Sequence, residues 1–407
     1  MILKTSPMKK YRMLFFAVAA FFNLIDCIGQ DSTWTRRYNI SVYNNYDLRN
    51  SSENAISIHR AISDGYRKGI KPTMNPTLGN ITYGIFNFAS TFMSIVWSHE
   101  FGHVLRADQV GGEFKIHDAS IPVPYTTMHL PKDISLPDEA LSVTGGFEVN
   151  YLSVRYLQRE FIAKNGNYNE DLALGFAHRL MYPLYTTIIV PVDPEDPEVW
   201  KNPAGDPINC AKLTFENYSD NQVFIGPDST VNPELVKYYR QSSILGTFYN
   251  FLDPQFYREV GGSFGKSSKT RRPIFLLGDY HTGWTYGTLF NVSPLGYELY
   301  MNNYLHVNGN NFSFYLKYGS PFKNNGFGLG WQDILNDSEV RLSGFVDVWD
   351  QDIYGSGISG ELSADYRLAG TLGVHLNLGY KTRGYVLGKQ TNEGVNLGVG
   401  IIYYGSY

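Results

Sequence analysis

The sequence predicts an α+β fold, in which a mainly helical N-terminal part is followed by an antiparallel β-sheet or a small β-barrel. Before about residue 260, most of the chain divides into predicted helices separated by loops rich in Pro, Asn and Gly. After about residue 272, apolar and polar residues alternate in segments of about ten residues, which is the pattern of strands. The composition agrees with a β-rich tail, because the 407 residues include 31 Tyr and 40 Gly and only 18% are charged.

The N-terminus has the features of a secretory signal peptide. Lys9, Lys10 and Arg12 precede the apolar stretch Met13 to Ile25, and the small residue Gly29 precedes Gln30. We therefore predict a signal peptide over residues 1–29 and an exported protein, located in the outer membrane or periplasm of a Gram-negative bacterium. If Cys27 leaves with the signal, Cys210 is the only cysteine, and no intrachain disulfide can form.

The first elements after the signal are a strand and two helices. The strand is expected around Tyr38 to Tyr46 and the first helix around Ala55 to Tyr66. The second helix contains the uncharged segment Ile81 to Trp97. Asn80 is its predicted N-cap, and the pair Gly111-Gly112 offers its end.

The rest of the helical part alternates helices with irregular segments. Residues 113–138 are proline-rich and predicted to be irregular, with residues 121–124 extended, and residues 191–235 are predicted to form a long loop or an insert. Further helices are predicted over residues 139–163, 170–182 and 233–251. The predicted units are therefore the signal peptide, a helical domain over residues 30–271 and a β-rich domain over residues 272–407.

The sequence His99-Glu100-Phe101-Gly102-His103 lies within the second predicted helix and reads H-E-x-x-H. Residues four apart lie on one face of a helix, so the imidazoles of His99 and His103 can bind one Zn²⁺. Glu100 lies one position further round, where it can act as general base toward a zinc-bound water. The pattern predicts a zinc-dependent hydrolase with Glu100 as the catalytic residue.

Zinc needs a further protein ligand, and Glu148 is the first candidate. It lies 45 residues after His103 on the helix predicted over residues 139–163. The motif and this later glutamate resemble the gluzincin metallopeptidases, in which a glutamate on a later helix completes the zinc site. The resemblance implies a zincin-like fold and the metal ligands His99, His103 and Glu148. Gly102, Gly145 and Gly146 would allow the two helices to pack closely.

A second resemblance leaves Asp253 open as the third ligand. HEFGH followed by the segment from Thr144 to Asn150 resembles the site-2-type membrane-embedded proteases, which carry a G-P-x-x-N helix. The segment Asn250 to Pro254 resembles their L-D-G motif, whose aspartate binds zinc. This resemblance implies Asp253 in place of Glu148.

Other polar residues have weaker assignments. His117, His129 and His178 are candidates to stabilise an oxyanion or to replace a ligand. Asp108 and Asn150 are candidates to orient a ligand histidine, since zinc-binding imidazoles usually donate their second N–H to such a group.

The C-terminal strands predict contact with a membrane. In the last strand, Val395, Leu397, Val399 and Ile401 share one face, and Gly398 lies on the opposite face. This alternation is typical of outer-membrane β-barrels, so we expect outer-membrane lipid as a partner. The net charge is −4, so the chain has no excess of basic residues that would indicate binding to nucleic acid.

Together these observations predict an exported zinc metallopeptidase that hydrolyses a peptide or protein substrate. Two alternatives remain open: a site-2-like membrane-embedded metalloprotease, and a non-catalytic outer-membrane β-barrel or binding protein.

Overall fold

The computed structural model confirms the α+β class and describes most of the chain after residue 34. The described residues are 35–44, 47–117, 125–164, 166–218, 222–226, 229–263, 270–279, 281–307, 310–332 and 340–406. The predicted signal peptide, residues 1–29, lies outside the described residues.

Eight α-helices occupy the N-terminal two thirds of the described chain. They are α1 (Arg49–Gly65), α2 (Pro76–Gln109), α3 (Leu136–Ala163), α4 (Asn169–Leu184), α5 (Pro197–Lys201), α6 (Asp206–Asn217), α7 (Pro233–Phe248) and α8 (Pro254–Ser263). A π-helical turn, Tyr185–Ile189, continues α4, and a 3₁₀ turn, Tyr249–Leu252, continues α7. Among the described residues, no helix combines the length and the apolar character needed to cross a bilayer.

A large antiparallel sheet forms the other half of the fold. Its strands are β1 (Thr35–Tyr43), β8 (Leu277–Gly278), β9 (Thr282–Ser293), β10 (Gly296–Val307), β11 (Asn310–Pro321), β12 (Asn324–Gln332), β13 (Val340–Gln351), β14 (Gly355–Ala369), β15 (Leu372–Lys381) and β16 (Gly394–Ser406). In the sheet, β1 lies next to β16, and the strands from β16 down to β8 follow in reverse chain order. Strands β8 to β16 therefore form a meander, in which each strand pairs with the next one along the chain. The two edge strands of the described sheet are β1 and β8, and the sheet is not closed as a barrel.

Short two-stranded ladders complete the described structure. They are β2 (Glu113–His117) with β3 (Tyr125–His129), β4 (Asn167–Tyr168) with β7 (Thr270–Arg271), and β5 (Phe224–Ile225) with β6 (Thr230–Val231).

The helical part and the sheet share one hydrophobic core. Phe147 and Leu152 of α3 belong to the same buried cluster as Tyr182 of α4, Phe290 of β9 and Tyr300 of β10. The N-terminal strand β1 also pairs along its whole length with the last strand, β16. Helix α3 is therefore the central element on which both the other helices and the sheet pack.

Three details of the predicted elements are wrong. The segment 113–138 is not irregular throughout, since residues 113–117 and 125–129 pair as the β2–β3 ladder. Helix α2 starts at Pro76 rather than Asn80, because the Asn75 side chain accepts a hydrogen bond from the Thr77 amide and caps the helix there. The segment 191–235 is not a long loop, since it contains α5, α6 and the start of α7. In α6, Pro207 occupies one of the first two helical positions, which is a start signal for a helix.

Helices α2 and α3 approach each other so closely that glycine is required at the contact. A Cβ atom added at Gly102 would lie 2.2 Å from the carbonyl oxygen of Gly145. A Cβ atom added at Gly145 would lie 2.4 Å from the carbonyl oxygen of Gly102. Both distances are shorter than any van der Waals contact, so the close packing predicted from these small residues is confirmed.

The helix contact predicts a large difference between two glycines of α2. Gly102→Ala should lower the free energy of unfolding by about 1–3 kcal/mol, because the new methyl group meets backbone that cannot give way. Gly84→Ala is the matched control, since its Cβ would meet nothing within 4 Å. It should raise stability by up to about 1 kcal/mol through helix propensity. Denaturant unfolding of both variants measures the difference, and equal stabilities would contradict the proposed contact.

Candidate metal centre

The helix α2 places the two motif histidines on its buried side. His99 and His103 are each 3% exposed, and their Nε2 atoms are 3.2 Å apart. Ile95 and Val96, one turn before His99, are buried on the same side of the helix. Phe92, two turns before His99, would be expected on the same buried side from its helical spacing, but it is 41% exposed.

Asp206, the first residue of α6, is the group that completes the cluster. Its Oδ2 atom lies 3.0 Å from His99 Nε2 and 3.1 Å from His103 Nε2. Gly205 precedes it with φ of +98°, a conformation that favours glycine and turns the chain into the helix. The carboxylate thus stands at the positive end of the α6 dipole.

The three groups have the spacing of metal ligands. Each offers one ligand atom, and these atoms lie within 4.8 Å of one another; within the described ranges no other group of three or more such residues is found. In a tetrahedral zinc site with bonds of about 2.0–2.1 Å, neighbouring ligand atoms are about 3.3 Å apart. The observed separations of 3.0–3.2 Å are close to that value.

Hydrogen bonds on the far side of each ring orient the two histidines. The His103 Nδ1–H donates to the Ser142 carbonyl at 3.0 Å. Asn150 Nδ2 lies 3.0 Å from His99 Nδ1, and Asn150 Oδ1 lies 3.0 Å from His178 Nδ1. An amide both donates and accepts, so Asn150 is the partner of both rings; the opposite orientation of the amide would let its oxygen accept from the His99 Nδ1–H and leave Nε2 free for a metal. The prediction that Asn150 contacts a ligand histidine agrees with this geometry.

The protonation of His103 explains why a cation fits this cluster. Because Nδ1 donates to a carbonyl, the neutral ring has its lone pair on Nε2, directed at His99 and Asp206. A lone pair that faces a carboxylate oxygen is unfavourable unless a proton or a metal cation lies between them. Burial alone would lower the pKa of His103, but the Asp206 carboxylate outweighs burial and raises the pKa to about 9. Although burial opposes it, the attraction of the histidines holds the pKa of Asp206 well below its usual range.

Gly146 of α3 faces the Nε2 atoms of the two motif histidines, where there is no room for a side chain. A Cβ atom at this position would lie 2.5 Å from His99 Nε2 and 2.6 Å from His103 Nε2. Any side chain here would occupy the place where the three ligand atoms converge, so only glycine is compatible with the cluster.

Glu100 and Tyr185 lie beside the cluster. Glu100 is half-buried, and its charge helps to raise the pKa values of His103 and Tyr185. The Tyr185 ring stacks on His99 with centroids 6.2 Å apart. Burial, followed by the charges of Asp206 and Glu100, raises the pKa of the Tyr185 phenol above its usual range, so the phenol stays protonated and can donate.

Glu148, predicted as the third ligand, has a different partner. Both of its oxygens accept hydrogen bonds from the Arg106 guanidinium, at 2.9 and 2.6 Å, and one also accepts from the Gly388 amide at 2.6 Å. Glu148 and Arg106 are each fully buried. Because the arginine engages both carboxylate oxygens, the geometry favours Asp206 over Glu148 as ligand.

Asp253, the alternative third ligand, is also engaged elsewhere. Its Oδ2 accepts from Arg179 at 2.6 Å and from Gln158 at 2.8 Å. Arg179 in turn pairs with Glu259 at 2.6 Å. This buried network joins α3, α4 and α8, which is a structural role.

The remaining candidate residues are not brought to the cluster. His117 stacks on Tyr125 across the β2–β3 ladder, with ring centroids 4.7 Å apart, and His129 lies in the exposed last position of β3. Asp108 is half-buried near the end of α2. His178 touches the cluster only through Asn150, and burial followed by the nearby His59 and His99 lowers its pKa to about 3, so its ring is neutral.

Comparisons with known proteins add nothing to this geometry, because the chain matches no protein family, no curated protein and no solved structure.

The geometry predicts different effects for the carboxylates of Asp206 and Glu148. Asp206→Asn should weaken zinc binding by more than about 100-fold, since even groups that only orient ligands contribute about 10–100-fold. Glu148→Gln should leave zinc affinity nearly unchanged and lower the free energy of unfolding by about 3–5 kcal/mol, because it leaves the Arg106 charge buried and unpaired. Titration with zinc and denaturant unfolding measure the two effects. Loss of zinc in the Glu148 variant with retention in the Asp206 variant would instead support Glu148 as the third ligand.

Proposed function

We propose that the protein is an exported zinc-dependent peptidase that holds Zn²⁺ with His99, His103 and Asp206. The observation that carries this proposal is the convergence of two imidazole nitrogens and a carboxylate oxygen, at ligand spacing, in front of Gly146. Three protein ligands are the usual set of a catalytic zinc site, which keeps one position for water or substrate. Peptide as the substrate class rests on the resemblance of the HEFGH motif to metallopeptidases.

The residues around the cluster supply the parts of a hydrolytic mechanism. Zinc bound there would lower the pKa of a water molecule toward about 7 and polarise the scissile carbonyl. Glu100, on the turn of α2 between the two histidines, accepts the proton of the attacking water and passes it to the leaving amine. The Ser142 carbonyl holds His103 in the orientation that presents Nε2, and Asn150 would do the same for His99 with its amide oxygen turned toward the His99 Nδ1–H.

Tyr185 is the residue that we assign to the developing oxyanion. Its phenol is protonated at neutral pH and lies in the electric field of Asp206 and Glu100. A neutral hydrogen-bond donor next to the reacting carbonyl stabilises negative charge there. No sequence pattern indicated this role, because Tyr185 lies in the π-helical turn after α4 and belongs to no motif.

Two features of the geometry favour the site-2-like alternative. The proposed third ligand is an aspartate, and Asn150 of α3 contacts His99. The resemblance to site-2-type proteases implied an asparagine on the later helix and an aspartate as the third zinc ligand. It implied Asp253 as that aspartate, however, and not Asp206. Assays should therefore include peptides presented in detergent or vesicles as well as peptides in solution.

Glu100→Gln should separate metal binding from catalysis. The variant should keep one zinc per chain and lose about 100- to 10,000-fold in the rate of peptide hydrolysis, because glutamine cannot accept the water proton. Glu234→Gln, an exposed glutamate at the start of α7, is the matched control and should retain full activity. Zinc content by mass spectrometry and cleavage of a peptide library provide the readouts. Undiminished cleavage by the Glu100 variant would exclude the proposed mechanism.

Tyr185→Phe should lower kcat and leave KM nearly unchanged, because the phenol acts on charge that develops only in the transition state. The expected loss is about 100-fold or more, the usual effect of removing one oxyanion donor. Kinetics over a range of substrate concentrations distinguish this from weaker binding. A rise in KM alone would assign Tyr185 to substrate binding instead.

A further inference from the structure

The outward face of strands β11 to β16 is apolar and exposed. On β15, Leu372, Leu376 and Leu378 are 46–57% exposed, and on β16, Leu397 and Val399 are 49% and 59% exposed. The pairing register places these residues on one side of the sheet. Other exposed apolar residues on the same side are Phe312, Phe314, Leu316, Phe327, Leu329, Val346, Val348, Ile358, Leu362 and Leu368.

The opposite face of the same strands is polar and buried. Lys317, Asp347, Asp365 and Lys381 are each at most 6% exposed. Lys317 pairs with Glu298 at 3.2 Å, and Asp347 accepts a hydrogen bond from the Tyr315 hydroxyl. The sheet therefore has the reverse polarity of a sheet in a water-soluble protein, where the apolar face is buried and the polar face is solvated.

Charged side chains are confined to the end of this outward face. Among its described positions in β11 to β16, Asp350 is the one ionisable carboxylate, and no Lys or Arg is present. Asp350 is the second-last residue of β13 and is paired with Lys323 of the adjacent turn. Six strands spaced about 4.8 Å apart are about 24 Å wide. At about 3.4 Å per residue, the apolar part of each strand is about 20 Å or more in height. That size approaches or exceeds the largest apolar patch of a typical soluble monomer, and its height is close to the apolar band of membrane strands.

Tyrosine and tryptophan lie at the two ends of the outward face. On this side of β11 to β16 the described Tyr and Trp residues are all within the last four residues of their strands. They are Tyr318, Trp331, Tyr366, Tyr380 and Tyr403. Because β11, β13 and β15 run opposite to β12, β14 and β16, Tyr318 and Tyr380 lie at one end, and the other three lie at the opposite end. Between the two rows, the outward face carries Leu, Val, Ile and Phe together with the small residues Gly344, Gly360 and Ala364.

We propose that the outward face of strands β11 to β16 contacts the acyl chains of a lipid bilayer, with its two aromatic rows at the membrane interfaces. Two aromatic girdles around an apolar band are the expected arrangement for strands in a membrane, since Tyr and Trp place an apolar ring and a polar group at the headgroup level. A protein partner would need neither the two rows nor the uncharged middle. The lipid contact is separate from the proposed peptidase activity and does not depend on the metal centre.

Site-directed spin labelling tests the lipid contact directly. The full chain is reconstituted in phosphatidylcholine vesicles with a nitroxide on Leu376→Cys, or on Glu234→Cys as an exposed control in α7. The parent protein, treated with the same reagent, gives the background from its own cysteines. The label at position 376 should collide several-fold more with oxygen, which is concentrated in lipid, than with a water-soluble nickel chelate. The label at position 234 should show the reverse preference.

A charge-insertion pair provides the second measurement. Val399→Arg should reduce the folded, vesicle-bound fraction by about 30-fold or more if the residue lies near the bilayer midplane. Ile225→Arg, at an exposed aliphatic position in β5, should leave that fraction unchanged. Two results would overturn the proposal. One is nickel-chelate access at position 376 equal to that at position 234. The other is a detergent-free soluble dimer or complex in which position 376 is protected without any lipid.

Discussion

The contact between α2 and α3 at Gly102 and Gly145 is the constraint on which the rest of the structure depends. It brings two helix backbones closer than any side chain would permit. At the next residue of α3, the same closeness places Gly146 directly before the imidazoles of His99 and His103. The helix that carries the HExxH motif can therefore be buried against another helix while its two histidines keep their positions, which a side chain at Gly146 would displace.

Buried ion pairs hold the elements around this contact in place. Arg106 and Glu148 join α2 to α3 within one turn of the cluster, and Glu148 also accepts from the Gly388 amide, in the connection between β15 and β16. Arg179 joins α4 to α8 in the same way. Desolvation makes such pairs poor sources of net stability, but removing one partner is costly, so they specify one arrangement of the helices and the sheet.

The sequence predicts the fold well where a local pattern decides it. The period of apolar residues indicates the helices found at 136–163 and 169–184, and the alternation after residue 272 indicates the strands of the large sheet. The small residues Gly102, Gly145 and Gly146 indicate the close helix contact from the sequence alone. The pairing of β1 with β16 was not predicted, because it joins residues more than 350 positions apart and no local pattern records it.

The candidate site was predictable only as far as the motif extends. The spacing of His99 and His103 is a local property of one helix. Which carboxylate becomes the third ligand depends instead on tertiary contacts. Glu148 and Asp253 were each suggested by a family resemblance, but Glu148 pairs with Arg106 and Asp253 pairs with Arg179, which lie far from them in sequence. Asp206 had one sequence signal, a Gly-Asp-Pro start of a helix, inside a segment whose Pro and Asp content indicated a loop.

The most direct test of the metal centre is an anomalous-difference map at the zinc edge, from crystals of the full chain grown with equimolar zinc. We expect one strong peak per chain, about 2.0–2.2 Å from His99 Nε2, His103 Nε2 and a carboxylate oxygen of Asp206. A peak bonded to Glu148 or Asp253, or no peak at the two histidines, would contradict the proposed metal centre.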